Sequence, residues 1–117
     1  MAVSYQGQCH CGAIGFSYTT EFSPSNWSVR ACQCSFCRSH GARCTSDPSG
    51  SVHFRISKPT ALVRYSFALR TAKFLLCRHC GVYIAAVIST YHASFTTVNL
   101  NTLSAVPPDL PAPDRGR

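Results

Sequence analysis

"CRHCG" (residues 77–81) is a C-x-x-C-G turn, and its reading decides the fold. Such a turn aims two thiolates at one point, and Gly81 permits a positive φ just after the second. A structural zinc takes four ligands, so two thiols need two more. "QCHC" (8–11) supplies them. Residues two apart in an extended segment point to the same side, so Cys9 and Cys11 reach one metal from a strand end. Cys9, Cys11, Cys77 and Cys80 then make a closed four-thiolate site. It joins the start of the chain to a hairpin near residue 80. Metal binding of this kind is itself folding free energy, because the unfolded chain cannot preform the site.

The stretch "ACQCSFCRSHG" (31–41) differs. Cys32, Cys34 and Cys37 follow a C-x-C-x-x-C spacing, with no fourth paired thiol. Three protein ligands and an open position are the arrangement of a catalytic zinc. Two closed alternatives stand beside it. His40, three residues after Cys37, would add an imidazole; Cys44, seven after, would add a fourth thiolate. His10 lies between two ligands and points away from their metal. His53 falls on the polar face of a strand, His79 inside the knuckle and His92 in a turn-like "STYH". Each is read as solvated or supporting. Arg38, next to Cys37, would favour a thiolate or an anionic ligand.

The 117 residues suit one compact domain. Hydrophobic residues make up 45% and charged residues 13%, which excludes a disordered chain. A small domain buries limited surface and needs staples, and the eight cysteines are the candidates. An even count in a short chain also fits a disulfide framework. The start "MAVSYQGQCHCG" shows no basic n-region and no apolar h-region, and no apolar run reaches a membrane span. Tight grouping of the thiols further favours zinc, and hence a reducing, cytoplasmic setting. The formal charge is +7. Seven thiolates on two Zn²⁺ ions would bring it to about +4, so the pull on anionic partners is modest. No two Lys or Arg residues adjoin, so the linear sequence holds no dense nucleic-acid patch.

Short strands are expected at 13–19, 27–32, 51–57, 62–69, 82–88 and 95–100. Those at 51–57 and 62–69 alternate apolar and polar residues, the mark of a half-buried strand. The continuous apolar run at 82–88 implies burial on both faces. One short turn of helix is expected after Cys37. The last stretch, "SAVPPDLPAPDRGR" (104–117), is rich in proline and cannot join a ladder. We therefore expect a zinc-binding domain over 1–103 and an extended strap or tail over 104–117.

The segments "GQCHCGAIGF", "CQCSFCRSHGA" and "FLLCRHCGVY", in that order, together with "VNLNTL" (98–103), resemble the signature segments of the glutathione-dependent formaldehyde-activating enzymes. The resemblance implies a mostly β chain, with antiparallel sheets of β-tent type clamped by zinc. It implies two zinc ions per chain, one on Cys9, Cys11, Cys77 and Cys80 and one on the catalytic trio Cys32, Cys34 and Cys37. It implies glutathione as co-substrate, an aldehyde as its partner and carbon–sulfur lyase chemistry of the S-hydroxymethylglutathione synthase type. Arg38, Arg43 and Arg55 are candidates to meet the glutathione carboxylates. A non-enzymatic zinc module that binds protein or nucleic acid is the competing reading, and a closed second site would favour it.

Overall fold

Nearly all the regular structure is antiparallel sheet. The computed structural model describes residues 1–67, 72–89 and 94–114. In chain order the strands are β1 (Val3–Gln8), β2 (Ile14–Thr20), β3 (Cys44–Thr45), β4 (Ser51–Ile56), β5 (Leu62–Tyr65), β6 (Ala72–Cys77), β7 (Tyr83–Ser89) and β8 (Ser94–Asn99). One short helix, α1 (Ser35–His40), lies between β2 and β3. β1, β2 and β4 form a three-stranded sheet with β2 in the middle. The other sheet has five strands in the order β3-β8-β7-β6-β5.

The main core fills the space between the sheets. Ile14, Phe16 and Tyr18 of β2 meet Ile84 and Ala85 of β7 and Val98 of β8. Alternation along β2 sends these three inward, as the sequence pattern requires. Trp27 closes one end, edge-on to Tyr5 at 4.8 Å and to Tyr18 at 5.4 Å. Its indole N–H is satisfied by the carbonyl of Phe22 at 3.1 Å. A smaller core lies on the other face of the five-stranded sheet, around Cys37, Ala42, Cys44, Tyr83 and Ala86. β7 thus contributes to both cores, as its unbroken apolar run implies.

A register shift makes this possible. Leu75 pairs with Ala85, but Leu76 pairs with Tyr83, so Ile84 is an extra residue in β7. A bulge of this kind reverses the in–out parity of the strand. Tyr83 and Ala86 therefore share the smaller core, while Ile84 and Ala85 both belong to the larger one.

Several expected elements shift. Residues 27–32 make isolated bridges instead of a strand, with Arg30 opposite Cys44 on one side and Asp114 on the other. Two backbone bonds hold the segment on each side: Arg30 and Cys44 exchange N–H to carbonyl bonds of 2.9 and 2.8 Å, while Ala31 N–H donates to the Asp114 carbonyl and Asp114 N–H to the Val29 carbonyl, both at 2.9 Å. The helix starts before Cys37, because the Cys34 sulfur caps it by accepting from the Cys37 N–H at 3.4 Å. β5 spans only Leu62–Tyr65 of the expected 62–69, and residues 68–69 fall outside the described residues. β1, β3 and β6 fall outside the expected strand ranges, although a strand end at Cys9 and a hairpin near residue 80 are expected. In the tail, Leu110 packs against the main core, and the Ser104 N–H donates to the Gln6 carbonyl at 2.8 Å.

Gly7 of β1 faces Phe16 of β2 in register, and the Phe16 ring lies over the position a Cβ would take. Phe16 is fully buried and has no room to yield. Gly7→Ala is expected to destabilise the fold by about 1–3 kcal/mol, the usual cost of overpacking. Urea unfolding checks this; a change below ~0.5 kcal/mol would contradict the packing described.

Candidate metal centres

The first group of thiols sits where the two sheets meet. Cys9 and Cys11 lie in the loop from β1 to β2, and Cys77 and Cys80 lie at the turn from β6 to β7. The two loops are built alike. Cys9 N–H donates to the Ile14 carbonyl at 2.9 Å, and Cys77 N–H to the Val82 carbonyl at 3.0 Å. Within each loop a glycine N–H returns to the first cysteine's carbonyl, Gly12 to Cys9 at 3.1 Å and Gly81 to Cys77 at 2.8 Å. Both glycines hold positive φ, 83° and 78°, a conformation open to glycine without strain.

All four sulfurs lie within 4.8 Å of one another. Cys9 to Cys11 is 3.7 Å and Cys11 to Cys77 is 3.6 Å. A tetrahedral zinc with Zn–S bonds of about 2.3 Å requires sulfur–sulfur edges of about 3.8 Å. The donor set therefore fits zinc in chemistry and in spacing. Cys9 and Cys77 are buried, and Cys11 is exposed.

Crowding splits the acidities of these thiols. Burial opposes ionisation of Cys80, but the N–H groups of Cys11 and Val82 and the thiols of Cys77 and Cys9 hold its pKa down to about 6. The Ala13 N–H favours the Cys11 thiolate, yet desolvation and the neighbouring thiols Cys77, Cys9 and Cys80 outweigh it and push Cys11 up to about 11. Thiols this close cannot all ionise without a cation. Metal loading must therefore release protons, and affinity must fall as pH falls.

Cys32, Cys34 and Cys37 form the second group, also within 4.8 Å. Cys37 is buried within α1, and burial together with the adjacent Cys34 and Cys32 pushes its thiol well up. Cys34 moves the other way. Burial disfavours its thiolate, but the Cys37 and Phe36 N–H groups and the Cys37 and Cys32 thiols donate to it and lower its pKa. Three thiols at this spacing could hold a metal ion and leave a position free.

Neither suggested fourth ligand joins this group. His40 is exposed at the end of α1, with its ring against Phe36 at 4.6 Å and Tyr83 at 5.6 Å. Cys44 is buried beneath the trio, its sulfur 4.0 Å from the Tyr83 hydroxyl. Burial raises both the Cys44 thiol and the Tyr83 phenol, so both stay protonated near neutral pH. His10, His53 and His79 are exposed and belong to neither group, and His92 lies outside the described residues.

A cleft of about 400 Å³ opens on the trio, lined by Cys32, Cys37, Gln33, Arg38, Ala42 and Arg43 among others. Arg43 is steadied by Asn101, whose Oδ1 accepts from Nε at 3.2 Å and whose Nδ2 donates to the Gly41 carbonyl at 2.9 Å. Arg38 and Arg43 thus face the same space as two of the cysteines. Arg55 does not: it lies on β4, bonded to Gln6 at 3.1 Å and Ser17 at 3.0 Å. Asn101, Gln33 and Tyr83 are contributors that the sequence pattern alone did not single out. Asn101 had a signal of sorts in "VNLNTL", but nothing local marks its reach to residue 43.

A family model described as glutathione-dependent formaldehyde-activating enzyme matches residues 4–115. The crystal structure of a Rhodobacter sphaeroides protein is 31% identical, with a TM-score of 0.71, over 88% of this chain and 91% of that one. No curated protein matches in sequence.

The two groups predict unequal losses. Cys9→Ser or Cys80→Ser opens a site that joins two sheets and should cost several kcal/mol of stability. Cys34→Ser loosens only a local cluster. Thermal unfolding followed by circular dichroism should show a much larger fall in Tm for the first two; equal falls in all three would contradict this division.

Proposed function

The chain belongs to the glutathione-dependent formaldehyde-activating enzyme family, and on that premise we propose that it is a zinc-dependent carbon–sulfur lyase acting on a glutathione–aldehyde adduct. The reaction joins the glutathione sulfur to the aldehyde carbon. The C–S bond forms as the carbonyl π bond opens, and the thiol proton ends on the oxygen. The reverse reaction splits the adduct into thiol and aldehyde. Two zinc ions per chain are proposed, a structural one on Cys9, Cys11, Cys77 and Cys80 and a catalytic one on Cys32, Cys34 and Cys37.

The observation that carries this reading is the three-thiol group with no fourth His, Cys, Asp or Glu among the described residues, opening on a cleft with two arginines. A zinc ion held there would act as a Lewis acid toward a thiol or a carbonyl oxygen. The protein's residues supply the rest. Arg38 and Arg43 offer charge-assisted hydrogen bonds to the peptide's carboxylates. Asn101 presets Arg43, which reduces the ordering cost of binding. Cys37 and Ala42, both buried, line the cleft beside them. The reading also sets the protein in the cytoplasm, where thiols and glutathione stay reduced.

Exchange NMR on mixed glutathione and formaldehyde tests the proposal. The zinc-loaded protein should speed adduct exchange above the spontaneous rate, and Cys34→Ser should abolish the gain. Arg43→Ala should raise the glutathione concentration needed by about tenfold, the worth of one charge-assisted hydrogen bond. His40→Ala and Cys44→Ala should keep both zinc ions. No acceleration by protein carrying two zinc ions would refute the lyase reading. Loss of one zinc in either of the last two variants would show that the chain closes the second site itself.

A further inference from the structure

The trio has a second neighbour, on the side of α1 away from the arginines. Phe36 lies between Cys34 and Cys37 in the chain, and Phe36 and Phe74 pack against the cluster that contains the three cysteines. From Phe36 a run of aromatic rings extends outward. Its ring is stacked with Tyr65 at 5.6 Å and 24°, and tilted against Phe67 at 6.2 Å and 31°. Phe67 stacks on Phe74 at 5.4 Å and 12°. Tyr65 and Phe67 lie 5.8 Å apart at 32°, so the four rings form one aromatic cluster at the surface. A groove of about 280 Å³ runs along it, lined by Ser35, Phe36, Ser39, Tyr65 and Phe67.

A core cluster would be covered, but Tyr65 is 47% exposed and Phe36, Phe67 and Phe74 are only half-buried. Among the described residues, none that lines the groove is charged. The groove starts at Ser35, the residue after Cys34, so its rim lies about 3.8 Å from the trio's backbone, Cα to Cα. The cleft with Arg38 and Arg43 lies beside Cys32 and Cys37. The trio therefore stands between a cationic cleft and an aromatic groove. A glutathione adduct divides the same way, with carboxylates on the peptide and the aldehyde residue on the sulfur. Formaldehyde adds one carbon and has no use for a groove of this size.

We propose that the aldehyde part of the substrate is a planar apolar group, such as an aryl ring, lying against Phe36, Tyr65 and Phe67. This rests on the glutathione reading above and specifies its second substrate. Flat rings on offset aromatic faces gain from burial and from stacking. The serine hydroxyls at the rim leave room for a polar substituent.

Calorimetric titration of the zinc-loaded protein with glutathione, S-methylglutathione and S-benzylglutathione tests it. The benzyl thioether should bind at least about tenfold tighter than the methyl one, as expected for burying much of a phenyl ring. Tyr65→Ala, at the edge of the sheet, should remove that preference. Ser39→Trp, which fills the groove from the helix, should do the same in a protein whose circular dichroism is native. Equal or weaker binding of the benzyl compound overturns the aromatic assignment and leaves the glutathione reading intact. So does binding of glutathione with neither thioether. If none of the three binds, the glutathione reading itself fails and this inference falls with it.

Discussion

The rest of the fold depends on four sulfur atoms brought to one point from segments 66 residues apart in the chain. Cys9 and Cys11 come from the loop that joins β1 to β2 in the three-stranded sheet, and Cys77 and Cys80 from the turn between β6 and β7 in the five-stranded one. Their spacing suits a single tetrahedral ion. A metal ion held there would clamp the two sheets at a fixed separation, and the main core fills what lies between. Cys9 and Cys77 are members of that core themselves. A domain of this size buries a limited share of its surface, so one strong cross-link matters more than it would in a larger protein.

The candidate catalytic group depends on that frame at one remove. α1 packs on the outer face of the five-stranded sheet, of which β3 is an edge strand, and the smaller core beneath the helix exists because β7 is bulged. With regular alternation, Tyr83 would face the same way as Ala85. The extra residue at Ile84 turns Tyr83 outward, under Cys37 and Cys44. The segment leading into the trio is pinned by Cys44 on one side and Asp114 on the other. Arg43 is held by Asn101, from the turn that follows β8. The trio is local in sequence, but the surfaces on either side of it are assembled from distant parts of the chain.

That contrast explains what could be read in advance. Thiol pairs at two- and three-residue spacing announce their chemistry locally, so both groups of cysteines were legible. The strands β2, β4, β7 and β8 carry enough apolar patterning to be read within about two residues. β1 was missed because "VSYQGQ" is mostly polar and exposed, and its pairing is fixed by β2, not by its own side chains. Residues 27–32 looked like a strand because Trp27, Val29 and Ala31 are buried, yet burial there comes from packing without a ladder. The aromatic groove was invisible for a different reason. Its residues come from α1, β5 and the segment just after it, and no periodicity links them.

The central claim is that one thiol group is closed by the protein and the other is open to a thiol from outside. Zinc K-edge X-ray absorption measures this directly by counting sulfur atoms around the metal. Four ligands at one site and three at the other predict an average of about 3.5 sulfurs per zinc in the protein alone, rising to about four with glutathione. Four sulfurs per zinc before any thiol is added, or no change on its addition, would contradict the account.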